Sequence, residues 1–175
     1  MTANSPDGLA ARARRDSLRQ AAQERLLQDI PLARFIQLRI SAWDGCTLDM
    51  QAPLAPNIND KGCAFGGSLA SVMTLACWAL IRLAADERGV ACDIYVQDSN
   101  LRYLAPIWQD FAARARLAED QPLDTFFSAL ATRGKSRLAV QCDIRNSEGA
   151  IACSLNARFV ALIPATSASA PDGAQ

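Results

Sequence analysis

The longest uncharged stretch of the chain is the feature that most limits its fold. Residues 62–81, "GCAFGGSLASVMTLACWALI", contain no charged side chain, and twenty such residues are long enough to cross a bilayer as a helix. The stretch also begins with two glycines and includes several Ser, Thr and Ala residues, so it is only mildly apolar. A helix that is apolar on all sides can instead be the buried centre of a domain. We favour a core helix that begins at Gly66 and runs to Glu87, with Gly89 as its C-terminal cap.

Alternating segments on both sides of this helix predict an antiparallel sheet. Residues 36–43 and 46–52 alternate around Asp44-Gly45, which is a hairpin signal. After the helix, the predicted strands are residues 91–104, 110–118, 136–145 and 150–163, and "QPLDTFFSALATRG" is a short helix or an irregular linker. Only a sheet could cover every side of the core helix. The fold class is therefore α+β, with one antiparallel sheet wrapped around a long central helix.

The two ends of the chain differ in composition from the middle. Residues 1–8 are predicted to be disordered, and residues 10–28 form a helix with Leu18, Leu26 and Leu27 on one side. We interpret it as a solvated helix that packs on the domain, rather than as a nucleic-acid contact. From residue 165 the chain is rich in Ala, Ser and Pro, which is typical of disorder. The expected organisation is an N-terminal extension (1–30), one domain (31–163) and a disordered tail (164–175).

Composition excludes several classes of function. The chain has no histidine, so a Ser-His-Asp or Cys-His catalytic pair and a His-ligated zinc site are impossible. Lys plus Arg and Asp plus Glu both number 18, and this balance does not favour nucleic-acid binding. The six cysteines are dispersed, and the N-terminus is polar and rich in arginine. We therefore expect six free thiols, a cytoplasmic location, no metal and no cofactor.

The segment "APNINDKGCAFGGS" ahead of the core helix is the strongest candidate for a functional site. Three polar side chains, Asn57, Asn59 and Asp60, precede the pair Gly66-Gly67. Each glycine costs roughly 1 kcal/mol in a helix relative to Ala. A helix start carries unpaired N–H groups and about half a positive charge. Glycines there would let a ligand reach those N–H groups; alternatively, they only permit close packing of the helix on the sheet.

These motifs resemble the hot-dog thioesterases, in which a curved antiparallel sheet wraps a central helix. The resemblance is carried by "NDKGCAFGGSLASVM", "DSNLRYLAPIWQDF" and the terminal hairpin "GKSRLAVQCDIRNSEGAIACSLNARFVAL". The loop is similar to the YiiD C-terminal family of thioesterase-like domains. The resemblance covers about residues 31–162. It implies that the N–H of Gly67, with that of Gly66 or Ser68, polarises a thioester carbonyl.

The sequence departs from the pattern of this superfamily at two positions. Phe65 stands where many members have His, and Thr74 lies near the position of a catalytic Asp or Glu two turns into the helix. Asn59 matches a loop Asn that can hold water but cannot take its proton. Asp60 is therefore the candidate base, and capping of a turn is the alternative. Asp98 is a second candidate acid, with an ion pair to Arg102 as the alternative.

The remaining candidate contacts are assigned to substrate. Ser99 alternates with Leu101 and Tyr103, so it could face the helix; a hydroxyl satisfied by the backbone is the alternative. Arg133 and Lys135 flank a predicted turn and could meet the phosphates of coenzyme A, or could simply be solvated. The residues interpreted as substrate-binding are Asn57, Phe65, Gly66, Ser68, Thr74, Asp98, Ser99, Arg133 and Lys135.

Two functional hypotheses follow from this resemblance. The first is hydrolysis of an acyl-CoA or acyl-carrier-protein thioester, with Gly67 as the oxyanion donor and with Asn59 and Asp60 handling water. The second is a non-catalytic module that binds acyl thioesters, which the residue Thr74 favours because a threonine is not a carboxylate base. In both cases the resemblance implies a homodimer or a dimer of dimers, since a lone sheet would expose the apolar edge of the third strand.

Overall fold

The computed structural model describes residues 6–118 and 122–164 of the 175-residue chain. Within these residues the helices are α1 (Pro6–Asp29), α2 (Pro31–Phe35), α3 (Gly66–Glu87) and α4 (Leu123–Arg133). The strands are β1 (Arg39–Trp43), β2 (Thr47–Ala52), β3 (Asp93–Tyr103), β4 (Phe111–Leu117), β5 (Lys135–Arg145) and β6 (Ile151–Leu162). A single 3-10 turn, Ala55–Asn57, lies between β2 and α3.

The six strands form one antiparallel sheet with the order β1-β2-β4-β5-β6-β3. Alternate residues of β2, β4, β5 and most of β6 enter the core; on β5, for example, they are Leu138, Val140, Cys142 and Ile144. The opposite, outer face is polar and carries ion pairs such as Arg114 with Asp49 at 2.7 Å. This inside–outside alternation is what a sheet with one buried face requires. The predicted α+β fold is confirmed.

Helix α3 is the centre of the core. Twelve of its 22 residues are buried, and it packs against β2, β3, β4, β5 and β6. It begins at Gly66 and ends at Glu87, as predicted. Gly89 follows in the left-handed conformation (φ +66°) and donates its N–H to the carbonyl of Asp86 at 3.1 Å, which ends the helix.

Length and composition alone would also allow α3 to cross a membrane. It is the one described helix that is long and apolar enough, with a mean hydropathy of 1.6 over its most apolar window. In this fold 67% of that window is buried inside the sheet. The helix therefore occupies the place of a core helix, as its composition predicts.

The first predicted strand begins three residues later than expected. Residues 36–38 continue from α2: the N–H of Ile36 bonds the carbonyl of Leu32, and that of Leu38 bonds Ala33. Gln37 between them has a φ of +56°, a conformation that breaks the extended chain. The hairpin that follows is confirmed, since the Asp44 carboxylate accepts the N–H groups of residues 46 and 47.

Helix α1 covers the free edge of β1. The side chain of Gln23 accepts the N–H of Ile40 at 2.6 Å and donates to the carbonyl of Leu38 at 3.0 Å. Arg19 donates to the carbonyl of Ile40 at 2.8 Å. The helix therefore packs on the domain, as predicted, and its arginines take part in that packing. Arg15 also does so, since it bonds Glu87 at 2.7 Å.

Some sequence predictions fall wholly or mostly on residues that the structure does not describe. Residues 1–5 lie outside it, whereas residues 6–8 belong to α1 rather than to a disordered segment. The predicted tail lies outside it from residue 165 onward. The segment "QPLDTFFSALATRG" is a helix over most of its length, and Gly134 closes it in the left-handed conformation.

All six cysteines are unpaired in the structure, and Cys46 is the exposed one. Cys77 on α3 and Cys142 on β5 meet in the core, where the neighbouring thiol and burial raise the pKa of Cys142 well above its ordinary value. Burial also raises the pKa of Cys153 to about 11. Such thiols stay protonated at neutral pH and behave as small apolar side chains.

Candidate active site at the start of helix α3

The first turn of α3 presents unpaired backbone donors. Phe65, the N-cap residue, is extended (φ −69°, ψ 132°) and makes no side-chain capping bond. The first helical bond runs from the N–H of Leu69 to the carbonyl of Phe65 at 3.0 Å. Within the described part of the chain, the N–H groups of Gly66, Gly67 and Ser68 have no acceptor. Together with the helix dipole, they form a local positive potential suited to an oxyanion.

Two aromatic rings lie against the two glycines. A Cβ on Gly67 would be 2.3 Å from Cε1 of Phe65, and a Cβ on Gly66 would be 3.4 Å from Cζ of Tyr103. Tyr103 ends β3, so the helix packs on the sheet at Gly66, where a Cβ would just reach ordinary contact distance. Gly67 is exposed, and its close neighbour is the half-exposed Phe65 ring from the same segment. The structure therefore shows packing of the helix on the sheet at Gly66 and exposed backbone at Gly67.

The loop before the helix is a small hairpin with its own hydrogen bonds. Ile58 and Ala64 form an isolated antiparallel bridge, and the N–H of Asn59 bonds the carbonyl of Cys63 at 2.8 Å. The N–H of Ala64 also bonds the carbonyl of Ile107 at 2.8 Å. These bonds join the loop to the segment between β3 and β4 and so fix the direction from which the chain enters α3.

Asn57 anchors this loop through buried hydrogen bonds to the backbone. It is 1% exposed, and its amide donates to the carbonyls of Pro53 at 2.8 Å and Ile36 at 3.0 Å. Its own carbonyl accepts the N–H of Phe65 at 2.7 Å. Its side-chain oxygen is buried without a partner among the described residues. Asn57 therefore bonds the backbone of the segments that support the start of α3.

Asn59 and Asp60 lie in the hairpin rather than over the helix start. The Asn59 side chain accepts the N–H of Lys61 at 2.9 Å and donates to the sulfur of Cys63 at 3.2 Å. The Asp60 side chain is 78% exposed and pairs with Lys61 at 2.8 Å. The side chain that caps the turn is Asn59, whereas the bonds shown for the Asp60 carboxylate are to the Lys61 ammonium.

Thr74 and Ser99 lie at a similar depth beyond the helix start. Thr74 is eight residues after Gly66, about 12 Å along the helix axis. Ser99 is four residues before Tyr103, about 13 Å along β3, and is paired opposite the buried Ala157. Paired residues share one face of a sheet, so Ser99 is on the helix side, as its alternation predicts. The two positions extend a partly exposed surface inward from Gly67.

Asp98 is on the other side of the sheet. It is paired with Arg158 of β6 and forms an ion pair with it at 3.2 Å, so the suggested pairing with Arg102 is wrong. A bulge after Val96 shifts the alternation of the strand. The carboxylate therefore lies on the outer face, whereas α3 packs on the inner one.

Arg133 and Lys135 lie at the far end of the same sheet. Lys135 is opposite Leu162, which is in turn opposite Asp93, the first residue of β3. The glycine pair is beside Tyr103, the last residue of that 11-residue strand, about 33 Å away. Within one chain these cations and the helix start are not brought together.

Tyr103 is the contact that the sequence analysis missed. Its hydroxyl donates to the carbonyl of Gly66 at 2.9 Å, and burial, with a smaller effect of the neighbouring Cys153, raises the pKa of the phenol. Its alternation with Leu101 indicated the helix side, but no pattern indicated which helix residue it meets. Around it, several large apolar side chains remain exposed: Ile58, Phe65, Leu104 and Trp108.

Two clefts elsewhere on the surface include charged side chains that already have partners. A cleft of about 650 Å³ between α1 and the β1–β2 hairpin includes Arg15, Asp44 and Arg114. Arg15 bonds Glu87 and the carbonyl of Asp44, and Arg114 pairs with Asp49. A second cleft, of about 420 Å³, lies on the outer face of β2 and β4. The unpaired donors are at the start of α3, so we take that as the candidate site.

The family to which the sequence is matched is one of thioesterases. The model of the family described as "Putative thioesterase (yiiD_Cterm)" matches residues 19–163. The chain belongs to this thioesterase family, and its fold is the hot-dog fold.

Solved structures show the same architecture. A protein of unknown function from Chlorobaculum tepidum TLS is 30% identical, with a TM-score of 0.81 over 85% of this chain and 96% of that one. A structure named as the putative thioesterase from Shewanella oneidensis is 27% identical, with a TM-score of 0.76 over 85% and 99%. A thioesterase from Haemophilus influenzae, at 16% identity and a TM-score of 0.60 over 78% and 86%, shares the fold.

Proposed function

We propose that this protein hydrolyses acyl thioesters of coenzyme A or of an acyl carrier protein at the start of α3. The observation that carries the proposal is the exposed first turn, in which three N–H groups lack acceptors in the described residues. A thioester oxygen placed there would accept the N–H of Gly67, with Gly66 or Ser68 beside it. As water attacks, the carbonyl oxygen becomes an oxyanion, and these fixed donors stabilise it more than the ground state.

Phe65 and Thr74 would bound the acyl group in this proposal. The Phe65 ring is half exposed beside Gly67, and Thr74 follows about two turns along the helix. Both offer largely apolar surface with few polar atoms, which suits an acyl chain. Ser99 would lie along the same surface from β3.

Asp60 is the group that would activate water in this proposal. Asp60 is the acid in the loop, and it would have to leave Lys61 to reach the helix start. If Asp60 takes the proton, then Asp60→Asn lowers kcat because the amide keeps the shape but cannot accept the proton. An unchanged kcat would remove Asp60 from the mechanism.

The phosphates of the carrier would be bound by a second copy of the chain. If two β3 edges pair antiparallel about a two-fold axis, the end of the partner's sheet that carries the partner's Arg133 and the partner's Lys135 approaches the Tyr103 end of this strand. We propose a homodimer for this reason, since one chain separates these groups by about 33 Å.

The position of Asp60 also favours the second candidate, a module that binds acyl thioesters without hydrolysing them. A carboxylate that is 78% exposed and paired with its neighbour is poorly prepared to act as a base. Incubating the purified protein with a panel of acyl-CoAs and a thiol reagent separates the two candidates. Release of free thiol supports hydrolysis, whereas saturable binding without release supports the module.

The variant Gly67→Val tests the helix start itself. The valine side chain would block the approach of the carbonyl and displace the Phe65 ring, which is exposed enough to move. We expect kcat to fall about 100- to 1000-fold, with a shift of only a few degrees in Tm. Ala70→Val, at a partly exposed position one turn further along the helix, is the control for the helix propensity of valine. Normal hydrolysis by Gly67→Val would show that the site lies elsewhere.

A further inference from the structure

Tyr103 joins the end of β3 to the first carbonyl of α3. Its hydroxyl donates to the carbonyl oxygen of Gly66 at 2.9 Å, and its ring packs against the same residue. In an α-helix that oxygen already accepts an N–H from the next turn. The bond from Tyr103 is therefore a second bond to an oxygen that the helix satisfies without it.

The bond acts on the neighbouring donor through a shared peptide plane. The carbonyl of Gly66 and the N–H of Gly67 belong to one planar trans peptide unit, so they point in opposite directions and turn together. A donor on the oxygen fixes the plane and draws electron density toward that oxygen. The N–H at the other end then becomes a stronger donor, as in any chain of hydrogen bonds.

We propose that Tyr103 is a positioning residue for thioester hydrolysis: through the Gly66 carbonyl it orients and polarises the N–H of Gly67. The proposal rests on the proposed function, in which that N–H stabilises the oxyanion. The phenol must stay protonated to donate, and its burial favours the protonated form. Tyr103 needs no contact with the substrate in this arrangement.

The variant Tyr103→Phe tests the relay because it keeps the ring and removes the hydroxyl. Tyr95→Phe is the matched control: Tyr95 lies on the same strand, is 55% exposed against 54% for Tyr103, and is paired with Val160 on the outer face. In Tyr103→Phe we expect kcat to fall about 3- to 10-fold with KM nearly unchanged. We expect the ¹⁵N resonance of Gly67 to shift, and neither change in Tyr95→Phe.

The two measurements separate the relay from the hydrolysis. An unchanged Gly67 resonance in Tyr103→Phe, or a shifted resonance with unchanged kcat, would overturn the proposal. If the parent protein hydrolyses no thioester, the proposed function fails and Tyr103 cannot be a positioning residue for it. A shifted resonance together with a lower affinity for a ketone analogue of acyl-CoA would then show that the relay serves binding alone.

Discussion

The two glycines at the start of α3 are each constrained by a different neighbour. A Cβ on Gly66 would just contact the Tyr103 ring, at 3.4 Å, whereas a Cβ on Gly67 would clash with the Phe65 ring, at 2.3 Å. Two aromatic rings thus border three free N–H groups. A substitution at Gly67 first moves the Phe65 ring and only then affects the donors, so the two effects must be separated by the size of the change in Tm.

Asn57 provides a test of how the loop is supported. In Asn57→Ala the carbonyls of Ile36 and Pro53 lose their donor in a buried setting, which costs about 2–4 kcal/mol. We expect Tm to fall by about 5–10 °C, measured by thermal unfolding. Asn156→Ala, at an exposed position on β6, should leave Tm nearly unchanged. A wild-type Tm for Asn57→Ala would mean that these bonds contribute little to stability.

The sequence predicted the location of the candidate site but not the directions of its side chains. The glycine pair and the polar loop were visible as residue types, and they do adjoin the helix start. The direction of the Asp60 side chain depends on its ion pair with Lys61 and on the Ile58–Ala64 bridge. The direction of the Asp98 side chain depends on a bulge in β3. Such a bulge moves a carboxylate from one face of the sheet to the other, and no pattern in this sequence predicts it.

At the scale of elements, α1 supplies what a missing strand would supply. An edge strand leaves backbone groups unpaired, and on β1 the side chains of Gln23 and Arg19 bond them. Periodicity predicted the helix and its apolar side. It did not predict this use of its polar side, because glutamine and arginine on a helix surface are usually solvated.

Gln23→Ala tests this edge cover. The variant removes the bonds to Ile40 and Leu38, so we expect the amide of Ile40 to exchange hydrogen at least about tenfold faster. Unfolding should require about 1–3 kcal/mol less. Gln20→Ala, on the exposed side of the same helix, is the control for lost helix contacts. Equal exchange rates in the two variants would contradict a role for Gln23 at the edge.

At the scale of the whole molecule, the other edge of the sheet is open. β3 is the last strand in the order, and Tyr95 and Val96 on it are about half exposed. Within the described residues no side chain bonds its free backbone groups. An edge of this length would promote aggregation if it stayed unpaired.

We therefore expect a mass of at least twice 18.8 kDa by light scattering at micromolar concentration. Val96→Lys should shift the equilibrium toward monomer, because a charge on an edge strand opposes pairing. Leu9→Lys, at another exposed apolar position, should not. A monomeric parent protein would contradict the homodimer and the shared phosphate site with it.

Because α1 covers the edge of β1, it also determines how many partner chains the sheet can pair with. A sheet with two open edges can add a neighbour on each side and grow without limit, whereas a chain with a single open edge is used up by one partner. Gln23 and Arg19, which lie away from the candidate site, thus prevent a second β-sheet pairing at the β1 edge. Removing both would convert a closed pair into a unit that can extend, and the early sign would be particle growth with concentration rather than loss of fold.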